Sequence, residues 1–124
     1  MPPLHEKRPA NPLHIVKNRV RESDIYFDAQ SGVNDPLQTA FWDFGWYPED
    51  IKKALLKLND RYHRDDPPKN HFHKHEPHRD YPAEDTHVDY YKAYTLMENC
   101  NVYTHFHIRE HTTCLVVDSF HKLD

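Results

Sequence analysis

The stretch Val102-Tyr103-Thr104-His105-Phe106-His107-Ile108-Arg109, with its continuation through residues 112–117, decides how this chain folds. Val102, Thr104, Phe106 and Ile108 alternate with Tyr103, His105, His107 and Arg109, which is the period of a strand. Residues 112–117 are rich in β-branched side chains, which favour strands. Against this, no Gly or Pro follows Pro82 to make the tight turn that a hairpin wants. The missing turn residue tips the reading towards a helix over 102–121, with an antiparallel hairpin as the alternative. The fold class expected is mainly α: short helices joined by long, extended, Pro-rich segments, with a C-terminal β-hairpin as an option and a small α+β fold as the alternative.

Upstream, Thr86 and Asp89 have the T-x-x-D spacing of a helix start, and Val88, Tyr91, Thr95 and Leu96 carry that helix to about residue 99. Residues 64–86 are polar and Pro-rich and form a connector longer than the roughly 12–15 residues usual for structureless loops. The best-signalled helices lie earlier. Asp35 caps, Pro36 occupies the first turn, Gln38 completes a capping box, and Gly45 stops a helix that runs to Phe44. Pro48 opens a second helix, with Glu49 and Asp50 at its positive end. Ile51, Ala54, Leu55, Leu58 and Tyr62 then make one apolar stripe and extend that helix over 48–63. Leu13, Val16 and Val20 support a further helix over 13–23, followed by the aromatic cluster Ile25-Tyr26-Phe27. The organisation expected is an extended arm (1–12), a helical unit (13–63), the Pro/His-rich connector (64–86) and a C-terminal segment (87–124).

Leu, Ile, Val and Phe together supply 26 of 124 residues, close to the level of about 20% at which a chain stops folding on its own. Eight Tyr, six Phe and two Trp carry much of the apolar area, a profile suited to docking against partners. The net charge of −4 is spread evenly, so nucleic-acid partners are not expected. Gly32 and Gly45 are the only glycines, which excludes the Gly-rich phosphate loops of nucleotide-binding folds. There is no apolar run of the roughly 18 residues a membrane span needs and no secretory leader pattern in the first residues. Cys100 and Cys114 are expected as reduced thiols in an intracellular compartment.

Twelve histidines make metal binding the first chemistry to test. In a helix, His107, His111 and Cys114 fall at i, i+4 and i+7 on one face and form the candidate zinc-ligand trio. The cluster His71, His73, His75 and His78 lies in the polar connector, where nothing fixes its rotamers, so it is expected to be solvated or to bond a partner. Cys114 beside His111 is the only nucleophile–base nominee, without Gly nearby to build an oxyanion loop, so no catalytic residue is assigned and enzymatic activity is not expected. Phe41, Trp42, Phe44, Trp46 and Tyr47 crowd seven positions and are the candidate docking anchors.

In being short and rich in Pro, Tyr and His, the chain is similar in character to supernumerary subunits of mitochondrial respiratory complexes or ATP synthase. That similarity implies a non-catalytic accessory subunit that stabilises neighbouring protein subunits, with no resident cofactor, a mitochondrial location and a place compatible with the periphery of a membrane complex. A zinc-binding protein using His107, His111 and Cys114 is the alternative. A ciliary microtubule-associated structural protein and a pH-responsive adaptor are the others, with cytoplasmic or ciliary locations.

Overall fold

The computed structural model describes residues 7–28, 35–79, 86–109 and 112–123. The fold is α+β, not mainly α: among the described residues, three short helices cover one face of a five-stranded mixed sheet. The helices are α1 (Leu13–Arg21), α2 (Pro36–Phe44) and α3 (Pro48–Leu55). The strands are β1 (Ile25–Phe27), β2 (Phe72–Pro77), β3 (His87–Met97), β4 (Cys100–Ile108) and β5 (Leu115–Lys122). Their order across the sheet is β1-β5-β4-β3-β2, with β1 parallel to β5 and every other neighbour antiparallel.

The helical elements follow local signals. The Asp35 carboxylate accepts from Leu37 N at 2.9 Å, and Gly45 closes α2 in the left-handed region at φ 73°. Asp50 Oδ2 accepts from Tyr47 N at the start of α3. That helix stops at Leu55 and not near residue 63, because Asn59 takes over the backbone. Its Oδ1 accepts from Arg61 N and His71 N, its Nδ2 donates to Lys69 O, and its own N–H donates to His71 Nδ1. Asn competing for backbone groups is a standard reason for a helix to end. Leu58 stays buried, while Tyr62 leaves the helix and bridges to Phe72.

The C-terminal expectations are overturned. The expected helix over 86–99 is β3, the expected helix over 102–121 is β4 and β5, and the connector 64–86 contains β2. The missing glycine did not matter, because Glu98 (φ 53°) and Asn99 (φ 60°) both adopt the left-handed conformation that a tight hairpin needs. Asn tolerates that region readily. Glu98 is held by Trp46, whose Nε1 donates to Glu98 Oε2 at 2.9 Å. A further left-handed residue, Thr95, sits in an irregularity of the β3–β4 pairing, where its N–H donates to Asn101 Oδ1. Asp89 resembles a cap in sequence, and its carboxylate does accept backbone N–H groups, but from Ala10 and Asn11, both at 2.8 Å. It thereby clamps the segment before α1 onto β3.

The core lies between the helices and one sheet face. It joins Leu13, Val16 and Val20 of α1 and Ile51, Ala54 and Leu55 of α3 to Tyr91, Phe106, Val117 and Phe120 of the sheet. The chain thus builds a continuous apolar core of its own, beyond what its low aliphatic content led us to expect. No described helix is long and apolar enough to cross a membrane.

Candidate functional site

Two places on the described surface could carry function, on opposite sides of the sheet. The first is built by α2 and α3. Of the five aromatic candidates, the fold turns Phe44 and Trp46 inward, where their rings stack at 4.4 Å and pack on Phe120. Phe41, Trp42 and Tyr47 point outward and are 49%, 68% and 62% exposed. Helical period explains the split, since Ala40 and Phe44 face the sheet and Phe41 and Trp42 do not. The three outward rings flank an apolar groove of about 300 Å³ that also involves Leu37 and Pro48. Asp43 of α2 and Glu49 of α3 are exposed, as is Glu98, which the β3–β4 turn brings to Trp46, and α2 contains no basic residue.

The second place is the far face of the sheet. Strand alternation puts Tyr91 and Phe106 towards the helices, so Val88, Tyr90, Tyr103, His105 and His107 face the other way. In β5, the pairing steps from His105↔Ser119 to Phe106↔Val117, which leaves Asp118 as an extra residue in a bulge. Bulges re-aim side chains, and here Asp118 meets His107. His107 Nδ1 and Asp118 Oδ2 are 2.7 Å apart, and the two side chains are 2% and 9% exposed. His78, held where its N–H donates to Thr86 O just beyond β2, packs edge-on against His107 with ring centroids 4.5 Å apart. Ligand atoms of His78, His107 and Asp118 all lie within 4.8 Å of one another. Beside them is a cleft of about 390 Å³ lined by Glu76, Arg79, Tyr90, His105 and His121 among others. Burial pushes His105 down to about 4, against the opposing pull of Asp118, so it is neutral at physiological pH.

The sequence-derived trio does not assemble on a helix. His107 lies in β4, Cys114 immediately precedes β5, and His111 lies outside the described residues. The Cys114 thiol donates to Leu115 O, and burial with Asp24 nearby raises its pKa, which disfavours the thiolate a metal needs. Within the first histidine cluster, contacts inside the chain fix rings expected to be solvated. His71 is buried and accepts from Asn59 N, and His75 and His87 meet through their Nδ1 atoms at 2.9 Å. Burial, then the proximity of His63 and Lys17, lowers His71 to about 4. Burial, then Lys92 and Lys74, does the same for His73. Sequence reasoning missed Asp118 entirely, because only the bulge brings it to His107.

The chain matches no protein-family model, no curated protein and no solved structure.

Proposed function

We propose that this protein is a non-catalytic accessory subunit that docks onto another protein through the α2–α3 surface. One observation carries the reading: three of the four large hydrophobic side chains exposed among the described residues, Phe41, Trp42 and Tyr47, converge on one groove. Clustered exposed aromatics of this kind are characteristic of interaction surfaces, where a Trp or Tyr anchor contributes 2 kcal/mol or more to binding. The acidic groups nearby favour a partner segment with an apolar anchor and a neighbouring Lys or Arg, whose cation can also stack on Trp42. A multichain assembly of the respiratory-chain type suits such a subunit, as does a ciliary microtubule. The self-contained core supports docking as a folded unit, in place of wrapping by extended arms.

The test is co-purification of the full chain from its own cells. The expected result is a fixed stoichiometry of one or more partner chains, with affinity reduced at least ~30-fold by Trp42→Ala. Recovery of the wild-type chain as a lone monomer, or an intact complex with Phe41→Ala/Trp42→Ala, would overturn the reading.

A further inference from the structure

The far face of the sheet carries an inference independent of docking. We propose that His78, His107 and Asp118 form a binding site for a divalent transition-metal ion, each imidazole giving one nitrogen and Asp118 a carboxylate oxygen.

The geometry is near what such an ion needs. Metal–ligand bonds of about 2.0–2.2 Å in a tetrahedral shell place neighbouring ligand atoms about 3.3 Å apart. The three ligand atoms already lie within 4.8 Å of one another, so no pair needs to close by more than about 1.5 Å. The residues come from three separate strand contexts: His78 just beyond β2, His107 in β4 and Asp118 in the β5 bulge. Placement on paired strands pre-organises them.

A second observation points the same way. Asp118 Oδ1 is buried and has no hydrogen-bond partner among the described residues. A carboxylate oxygen withdrawn from water without a donor is costly, and a bound cation would satisfy it. Two imidazoles and one carboxylate form a mixed nitrogen–oxygen set. That set suits zinc, cobalt, nickel, copper or iron, whereas calcium and magnesium want oxygen alone. Three protein ligands leave at least one position for water or a small anion, and Arg79 in the adjoining cleft offers a counter-charge to an anion there.

The experiment is titration of the metal-free full chain with Zn²⁺ by calorimetry and with Co²⁺ by visible absorption. One equivalent is expected to bind, and the cobalt complex should show no thiolate charge-transfer band. His78→Ala and Asp118→Ala should each weaken binding by about 100-fold or more, since changes behind the ligands alone cost 10–100-fold. Cys114→Ala should leave it unchanged. Thermal melting without metal verifies that each variant is folded, and Asp118→Asn, which keeps side-chain volume, replaces Asp118→Ala if that variant is not. Absence of stoichiometric binding, binding that survives His78→Ala, or loss with Cys114→Ala would each refute the site.

Discussion

The two halves of this molecule distribute polarity in opposite ways. Every large hydrophobic side chain exposed among the described residues, Tyr26, Phe41, Trp42 and Tyr47, belongs to the first 47 residues. Every buried polar one, from Asn70 and His71 through Asp89 and Thr104 to His107 and Ser119, belongs to the strand half. The helical half turns apolar area outward, and the strand half takes polar groups inward. Each departure runs against the ordinary preference of side chains, and each underlies one of the two proposals: docking through the helical half, and an ion on the far face of the sheet.

The sharpest way to break this contrast uses two tryptophans four positions apart. Trp46 is 4% exposed and Trp42 is 68% exposed. Trp46→Ala removes the stack on Phe44, the packing on Phe120 and the bond to Glu98, and should cost about 3–5 kcal/mol in urea unfolding. Trp42→Ala should change stability by no more than about 0.5 kcal/mol. Equal losses would mean that the helical half has no outward-facing anchor.

In the strand half, Asp89→Ala should cost about 2–3 kcal/mol, because it strips two backbone N–H groups of a buried acceptor. Amide exchange at Ala10 and Asn11 should accelerate with it. Burial raises the Asp89 pKa, and the bonds from Asn11 and Ala10 oppose that rise. Unchanged exchange at those amides would show that the clamp is not what holds the segment before α1.

The smallest effect concerns pH. His71 is lowered from 6.5 to about 4 in the fold. Between those values the unfolded chain takes up a proton that the folded chain refuses, so stability falls as pH drops from 6.5 towards 4 and levels off below. His71→Gln retains an acceptor for Asn59 N and removes up to one proton from that slope. The melting temperature of the variant should therefore fall less steeply over this range. An unchanged slope would mean that His71 titrates normally and that the strand half tolerates its charge.

The same contrast explains what the amino-acid sequence disclosed. In the helical half the instructions are local: Asp35, Pro36 and Gly45 bound α2 within eleven residues, and Leu13, Val16 and Val20 space α1. In the strand half they are not. Glu98 and Asn99 make a turn without glycine, and Asp89 finds its N–H donors 78 and 79 residues away. The period-two alternation of 102–109 is a true strand signal, outweighed in our reading by the missing turn residue. The aromatic surface was legible as a cluster, though not which rings face out. His78 and His107 stood out as histidines, yet their meeting with Asp118 depends on pairing register, which no local pattern encodes.

The position of β5 has a consequence for how the molecule comes into being. This strand, the last of the five along the chain, lies between β1 and β4 and supplies Phe120 to the contact beneath α2. β1 and α2 can form early during synthesis, but their partner surface does not exist until residues 115–122 have emerged. The helical half must therefore wait, with its apolar side uncovered, for the final strand to slot between two others. Long-range closure of this kind is slow and leaves the waiting chain prone to association. A nascent chain arrested before residue 115 should be a client for chaperones, and the folded domain should appear only as synthesis passes Lys122.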